Sequence, residues 1–555
     1  MPVSSRVESP RRAGSLLASG VVTAGVVALG IVRLQSHASM WRDEAWTALV
    51  IERSFSGVVG LVLRDEANMG PYYVALRVWS VFGSSDAWLR GFSVFAGIGA
   101  ALALFHLVER HVDRLAAALA VVLFVANPEF VHHLTETRGY MWATFLVVVA
   151  TDCLLRLLDG GGRRWIVGYG VAMGLAVGVH LLVVLVVAGQ LLGVLLWSRP
   201  SGVTARRLLA GGLLALGVTA PFLPIAFIRR DANTSWVTAL PSDRIIGALE
   251  NAAGGRTWAL LMLLGIVVVV LRAAWQRPAA TVGDRGAVGI LLLSGVLPGP
   301  MLVLLSLARP MFVGRYLVPA LPFLATAAAI GYSRLLRPRL PTVLVVAGVT
   351  GFLFVTMSPS PFKIDLPEDL RAEAVFLAAH AKPSDGLVFY PGWARANVSR
   401  YWDFPKTMDV SVKARPEDTL FPTEYGTAAL RARLARHPRV WVVGYPGNTW
   451  RPRGPDPLEP LMAELRRRPT LESRAFGYFG GPVVTLYGPS SGRRSSSERD
   501  ASRRRRLTRP AGTSRQGCAG WPEGGVPLRL PARRSAAHRP PRHPRPAPWQ
   551  EVGTA

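Results

Sequence analysis

Two adjacent carboxylates, Asp43 and Glu44, lie in the segment W-R-D-E-A-W-T, just after the first apolar stretch of the chain. An ionised acid beside hydrocarbon is costly unless it faces water, a partner or a site. One carboxylate could be a general base that takes the proton from an acceptor hydroxyl as its oxygen attacks the anomeric carbon of a sugar. The other could orient the acceptor or help to hold a divalent cation. The simpler interpretation is that both are surface acids balancing Arg42 and Arg53.

Several arginines near the ends of apolar segments could bind a phosphate. Arg309 and Arg315 flank a short link, Arg138 precedes a later segment together with Glu136, and Arg90 begins another. A planar guanidinium forms bidentate, charge-assisted bonds to phosphate, and a fixed cation stabilises the charge on a leaving phosphate. The same side chains could instead reach lipid headgroups, and Arg138 could pair locally with Glu136.

A few side chains could ligate a cation or stack on a sugar. Glu44, Glu136 and His180 are candidate ligands of a divalent metal ion, and His132 and His133 are further candidates, although interfacial histidines are also commonly just hydrated. Trp41 and Trp46 could stack on a sugar face or anchor the loop at the membrane interface. A divalent metal ion is the one cofactor that these residues leave open.

Apolar runs of about 17–25 residues recur along the chain, which is the length that crosses a bilayer. Half of its 555 residues are hydrophobic. The net charge of +28 reflects Arg far more than Lys, which indicates a GC-rich genome rather than a nucleic-acid binder. We therefore predict a polytopic helical membrane protein with eleven spans, at residues 15–35, 89–109, 115–132, 140–158, 165–180, 182–198, 208–228, 258–275, 287–307, 316–334 and 341–357.

Arginine-rich connections predict the orientation of these spans. Five short basic loops fall on one side, which predicts that they and residues 1–14 are cytoplasmic. The first loop (residues 36–88) and everything after residue 358 are then extracytoplasmic. The acids cluster on this outer face, whereas a transporter more often places ionisable groups mid-membrane. This asymmetry favours an enzyme that acts on a lipid-linked substrate at the outer leaflet.

The chain after the last span predicts a small α/β domain (residues 358–489) that follows the transmembrane domain (residues 15–357). Residues 369–383 and 457–469 have helical patterns, and 386–391 and 439–446 have the apolar runs of buried strands. Residues 473–488, with a Gly-Gly turn at 480–481, predict a hairpin. Ser, Arg and Pro dominate residues 490–555, which predicts a disordered tail.

Motifs spread along residues 20–335 resemble those of the bacterial relatives of the protein O-mannosyltransferases, which are polytopic glycosyltransferases (family 39-type) of the GT-C type. They are W-R-D-E-A-W-T (41–47), N-M-G-P-Y-Y (68–73), W-L-R (88–90), N-P (127–128), E-T-R-G-Y (136–140) and R-Y-L-V-P-A-L-P (315–322). One departure is Gly70-Pro71, where relatives often have Pro-Pro or Pro-Leu.

The resemblance implies inverting transfer of a sugar, mannose or similar, from a polyprenyl-phosphate donor on the extracytoplasmic side. The acceptor would be an envelope glycan, a lipid or a protein. By motif, Asp43 becomes the base and Glu44 its partner, and the R-x-L-V-P context favours a phosphate role for Arg315. The other motif residues would position the substrate or the loop, namely Asn68, Tyr72, Tyr73, Glu136 and Tyr140.

Two other classes of function remain open. A transporter or flippase of a lipid-linked intermediate would also have many spans and outer basic residues, but it predicts polar residues on discontinuous mid-membrane helices and an internal repeat. A non-catalytic envelope scaffold predicts that replacing both loop acids changes nothing. All three place the protein in the cell membrane, in contact with lipids and not with nucleic acid.

Overall fold

Helices make up most of the first 355 residues of the chain. The computed structural model describes residues 8–36, 38–64, 68–198, 200–228, 234, 236–275, 282–335, 339–355, 368–414, 423–445, 458–477 and 481–489. The helices up to residue 355 are Glu8–Leu34, Arg42–Ile51, Phe55–Arg64, Gly70–Trp79, Asp86–His111, Arg114–Val125, Pro128–Leu134, Tyr140–Leu158, Arg163–Val179, Val184–Gly193, Gly202–Thr219, Leu223–Ile228, Ile245–Ala252, Arg256–Trp275, Val282–Val296, Pro298–Ala308, Leu321–Leu335 and Arg339–Val355. Arg229, Arg230 and the predicted tail lie outside the described residues.

Six described segments are long and apolar enough to cross a membrane, namely Leu17–Leu34, Asp86–His111, Tyr140–Leu158, Leu181–Ser198, Gly286–Ala308 and Gly314–Leu335. Two bent helix pairs raise this number to eight if each pair is one span. The prediction of a polytopic helical membrane protein is therefore confirmed. The number of eleven spans and their orientation stay predictions.

The two bends lie against each other, and local chemistry explains both. Asn127 caps the Pro128–Leu134 helix by accepting from the Glu129 N–H at 2.9 Å, and the proline at the first helical position starts the new direction. This helix bends by 65° from the one before it. The Asn127 Nδ2 also donates to the Ala253 carbonyl at 2.8 Å. Ala253 lies at the second bend, of 81°, where Gly254 adopts a φ of +100° that favours glycine.

Small residues allow the helices to pack closely. The Arg256–Trp275 and Leu321–Leu335 helices meet at Gly265 and Gly331. A Cβ on Gly331 would lie 1.9 Å from the Gly265 carbonyl oxygen, so no larger residue fits there without moving a backbone. The Asp86–His111 helix packs against Tyr140–Leu158 and thereby brings together the loops at the ends of both helices.

The described residues from 368 to 488, which we call the C-terminal domain, form one compact unit with the helices before them and contain a four-stranded mixed sheet. Its strands are β1 Gly386–Tyr390, β4 Val440–Gly444, β5 Thr470–Ala475 and β6 Val483–Tyr487, in the order β1-β4-β6-β5, while β2 Val412–Ala414 and β3 Thr423–Glu424 form a separate pair. β1 and β4 are parallel, and β6 is antiparallel to both neighbours. The helices are Leu370–His380, Arg395–Ser399, Thr427–Leu434 and Glu459–Leu465. The predicted strands, helices and hairpin are confirmed, although Gly480 of the turn lies outside the described residues.

Polar contacts join the first loop to the C-terminal domain. The Arg42 backbone N–H donates to Glu368 Oε2 at 2.9 Å, and its guanidinium lies 3.2 Å from Glu368 Oε1. The Met40 N–H donates to the Tyr401 hydroxyl at 2.7 Å. Asp86, at the start of a membrane helix, accepts from Arg400 at 2.7 Å. The C-terminal domain therefore packs directly against the first loop.

We expect the stability of the C-terminal domain to fall as pH rises, because of Glu373. This residue is fully buried, and neither carboxyl oxygen has a hydrogen-bond partner in the part of the chain that the structure describes. Burial, reinforced by the Glu368 carboxylate, raises the pKa of Glu373 well above its ordinary value. The folded state therefore holds a proton that the unfolded state releases above about pH 4.3, so stability declines as pH increases through the folded pKa.

The Glu373→Gln variant removes this titration. Its thermal transition, followed by tryptophan fluorescence of the whole protein, should exceed that of the wild type at pH 8 and match it at pH 5. Glu459→Gln, at an exposed position in the same domain, is the matched control and should behave as the wild type does. A wild-type pH slope that persists in Glu373→Gln would contradict the prediction.

Candidate active site

The Arg42–Ile51 helix presents the two acids of the first loop. Its N-cap residue is Trp41, and the Trp41 N–H donates to Glu44 Oε2 at 3.3 Å, which is half of a capping box. Asp43 and Glu44 occupy the first turn, where the helix dipole stabilises negative charge. Both acids thus stabilise the N-terminus of this helix through its dipole, and Glu44 does so also through the contact with the Trp41 N–H.

Glu44 is committed to a buried ion pair. Arg90 donates to it from Nε at 2.9 Å and from Nη2 at 2.6 Å, and the Thr137 N–H donates to it at 2.8 Å. Both side chains are almost fully buried. Arg90 also donates to the carbonyls of Ala38 and Ser39. These contacts favour a positioning role for Glu44 and Arg90, over the predicted catalytic or metal role of the first and phosphate role of the second.

We expect Glu44→Gln to destabilise the protein strongly. The variant leaves the Arg90 guanidinium buried without a counter-ion, and breaking a buried ion pair in this way costs about 3–5 kcal/mol. The thermal transition of the purified protein in detergent measures the loss. Glu52→Gln, at the other end of the same helix, is the control: Glu52 pairs with Arg400 at 3.3 Å but is half exposed, so its pair contributes little. Equal transition temperatures for Glu44→Gln and Glu52→Gln would disprove that the buried Glu44–Arg90 pair stabilises the protein.

Asp43, unlike its neighbour, keeps an accessible carboxylate. One quarter of its side chain is exposed, and its Oδ2 lies 3.7 Å from Arg315 Nη2. Its backbone carbonyl accepts from the Thr47 hydroxyl at 2.9 Å, which fixes the first turn of the helix. The carboxylate is therefore partly accessible and lies beside the Arg315 cation, on a helix turn that the Thr47 hydroxyl fixes.

Arg138 approaches the same helix from the loop between Leu134 and Tyr140. Its Nη1 donates to Thr47 Oγ1 at 3.3 Å, while its Nε is buried without a hydrogen-bond partner among the described residues. Burial alone would lower the pKa of Arg138, but nearby groups that include Asp43 raise it well above its ordinary value. Arg138 is thus a fixed cation with an unused donor close to Asp43.

The E-T-R-G-Y motif owes its glycine to close packing. A Cβ on Gly139 would lie 2.7 Å from Val179 Cγ1 and 3.5 Å from Tyr72 Cβ. Next to it, Tyr140 is buried, and its ring centroid lies 5.5 Å from that of His180. The motif therefore positions Arg138 between tightly packed neighbours.

Arg315 lies in the 3-10 turn Gly314–Ala320, between two tryptophans. Its guanidinium carbon is 5.6 Å from the ring of Trp41 and 5.4 Å from that of Trp236. Aromatic faces of this kind attract a cation and hold its plane. Trp236 was not among the predicted site residues, although an isolated tryptophan in an otherwise polar loop was an available signal. Tyr316, whose ring lies 5.2 Å from that of His180, was not among them either.

Other predicted residues are held by different contacts. Arg309 donates from Nη2 to Thr234 Oγ1 at 2.9 Å, on the other side of the short link. Tyr72 and Tyr73 are buried in the Gly70–Trp79 helix, and Asn68 lies half-buried just before it. Their burial favours a role in positioning the loop.

The Gly70-Pro71 departure has a steric reason. A Cβ on Gly70 would lie 2.6 Å from Val62 and 2.9 Å from Phe222, so packing requires glycine. Met69 before it adopts a φ of +67°, which is rare for a side chain other than glycine. The Gly70–Trp79 helix thus starts from a conformation that its neighbours impose.

The predicted metal ligands do not form one group. Glu44 forms the buried ion pair with Arg90. His180 lies between the rings of Tyr140 and Tyr316. Glu136 instead contacts His133, and His132 lies beside them, so that one ligand atom from each lies within 4.8 Å of the others.

Comparison with known proteins identifies similar sequences and folds. Residues 65–225 match the model of a family described as dolichyl-phosphate-mannose-protein mannosyltransferase. The crystal structure of ArnT from Cupriavidus metallidurans in the apo state is similar with a TM-score of 0.57 and 16% identity, over 84% of this chain and 97% of that one. ArnT from the same organism bound to undecaprenyl phosphate gives a TM-score of 0.54, with the same identity and coverage. No curated protein matches the sequence.

Proposed function

We propose that this chain, which is similar to the matched mannosyltransferase family and to the fold of ArnT, is a GT-C membrane glycosyltransferase and that it transfers a sugar from a polyprenyl-phosphate donor to an acceptor hydroxyl. The observation that carries the proposal is the accessible Asp43 carboxylate 3.7 Å from Arg315, with Arg138 bonded to Thr47, one turn further along the same helix. A base and two cations at one place are what displacement of a phosphate by a hydroxyl requires.

Asp43 is the general base of this reaction. It takes the proton of the acceptor hydroxyl as that oxygen bonds to the anomeric carbon. The bond from this carbon to the phosphate oxygen breaks at the same time, and the polyprenyl phosphate leaves with the bonding electrons. A single displacement inverts the anomeric centre. No nucleotide is needed, because the lipid phosphate already activates the sugar.

Arg138 and Arg315 stabilise the departing phosphate. The charge on its oxygens grows in the transition state, and guanidinium donors fixed beforehand stabilise it without reorganising. In the structure Arg315 contacts Asp43 only at 3.7 Å, longer than a strong charge-assisted bond. A bound phosphate can therefore take this donor from Asp43, which frees the carboxylate to accept a proton.

The remaining predictions complete the proposal. The sugar is mannose or another hexose or pentose, and the acceptor is an envelope glycan, a lipid or a protein. Eleven spans within residues 15–357 place the first loop and the domain predicted at residues 358–489 on the extracytoplasmic side, in a multi-pass protein of the cell membrane. Glu44 and Arg90 position the loops around Asp43, and a divalent metal ion is the one cofactor that the proposal leaves open.

The test is to incubate the purified protein with a panel of polyprenyl-phosphate sugars and candidate acceptors. We expect one donor to be consumed, with release of polyprenyl phosphate and formation of an inverted glycoside. The same protein in liposomes, given the same donors, measures translocation. Movement of a donor across the bilayer without sugar transfer would replace the proposal with a flippase, and consumption of none would remove its basis.

A further inference from the structure

Three potential metal ligands cluster at the end of the Pro128–Leu134 helix. His132 and His133 occupy its last turn, and Glu136 follows two residues after it. One ligand atom from each lies within 4.8 Å of the other two. Two imidazole nitrogens and one carboxylate oxygen are a set that Zn²⁺ and similar divalent ions bind.

The Glu136 carboxylate is not satisfied by the protein alone. The residue is 3% exposed, and its Oε2 contacts His133 Nδ1. Its second oxygen, Oε1, is buried and has no hydrogen-bond partner among the described residues. A buried anionic oxygen without a partner is costly, so it indicates a missing cation or donor at this position.

Glu129 supplies the outer contact that metal-bound histidines have. Its Oε2 lies 3.4 Å from His133 Nε2, the ring nitrogen that faces away from Glu136. In the tautomer that carries its proton on Nε2, this N–H donates a hydrogen bond to Glu129. The lone pair of Nδ1 then points toward Glu136. A carboxylate that fixes the tautomer in this way is a regular companion of a histidine–zinc bond.

We propose that His132, His133 and Glu136 bind one divalent metal ion, Zn²⁺, with Glu129 as the outer partner of His133. Three protein ligands leave a fourth position for water, and the exposed side chain of His132 provides the route of entry. Asp43 is not one of these ligands.

The site holds the loop that carries Arg138. This loop directly follows Glu136: the Thr137 N–H binds Glu44, and the Arg138 N–H donates to the Glu136 carbonyl at 2.8 Å. A metal that fixes Glu136 also fixes the start of this loop. We therefore assign the ion a structural role.

The experiment uses the full protein purified through a peptide tag without histidine, stripped with a chelator and dialysed against Zn²⁺. Elemental analysis should give about one Zn²⁺ per chain, as for a site with three protein ligands. Zn²⁺ should raise the thermal transition, because it binds the folded state. Co²⁺ in its place should give the visible absorption of a nitrogen–oxygen site.

Variants separate binding from folding. Glu136→Gln and His132→Ala should both lose the metal, and His132, being exposed, should be replaceable without unfolding. Glu129→Gln should weaken affinity about 10–100-fold. The matched control is His106→Gln. His106 lies three residues before Glu109, as His133 lies three residues before Glu136, but it is exposed. Wild-type metal content in His132→Ala, or no metal in the wild type, would overturn the proposal whatever the outcome of the sugar-transfer assay.

Discussion

Replacing Asp43 by asparagine should reduce the rate of sugar transfer by about 10²–10⁴-fold, the range that a positioned general base contributes. Asparagine has the shape of aspartate but cannot accept the proton of the acceptor hydroxyl. Single-turnover transfer at saturating donor measures the effect. Donor binding should persist, because Arg138 and Arg315 remain and the carboxylate that competes for Arg315 is gone.

Glu52→Gln is the control for this variant, since it removes an acid from the end of the same helix, far from Arg315. It should transfer sugar at the wild-type rate. The thermal transition of Asp43→Asn should also match the wild type, because the carboxylate is partly exposed and contacts its cation only loosely. Wild-type turnover in Asp43→Asn would refute the assignment of the base.

Arg315→Ala should lower kcat/KM for the donor by about 10²–10³-fold, as expected for the loss of one fixed donor to a developing anion. The KM of the acceptor should change little, because the phosphate belongs to the donor. Arg315→Lys should recover only part of the activity, since an ammonium lacks the planar pair of donors and the fit between Trp41 and Trp236. Steady-state kinetics with each substrate varied in turn measure these effects.

Arg309→Ala is the matched control, because Arg309 ends the same short link but donates to Thr234. We expect its kinetics to stay within a few-fold of the wild type. Losses shared equally between donor and acceptor in Arg315→Ala would contradict a phosphate role. The same would follow if Arg309→Ala were equally impaired.

The sequence was sufficient to predict a polytopic helical membrane protein, although not the number of its spans, and the strands and helices of the C-terminal domain. Both follow from local patterns, namely apolar run length and strand alternation. The grouping of Asp43, Arg138 and Arg315 was also accessible, because all three lie at the ends of apolar segments on the same predicted face. The structure brings Arg315 to Asp43 and Arg138 to Thr47 of the same helix.

The different roles of Asp43 and Glu44 could not be predicted from the sequence. It depends on Arg90 and Thr137, which are 46 and 93 positions away from Glu44. The capping contact of Glu44 was hidden as well, since Trp41 is an unusual N-cap residue. Contacts of this separation follow from how helices pack, and a single sequence carries no local signal for them.

Three consecutive side chains of the first loop point to three separate parts of the molecule. Arg42 reaches the C-terminal domain, Asp43 faces Arg315, and Glu44 is buried against Arg90. Successive residues of a helix are rotated by about 100° around its axis. One inserted or deleted residue would therefore point all three side chains in the wrong direction. A substitution within this tripeptide should therefore disturb one of the three contacts, whereas a change of length by one residue should disturb all three.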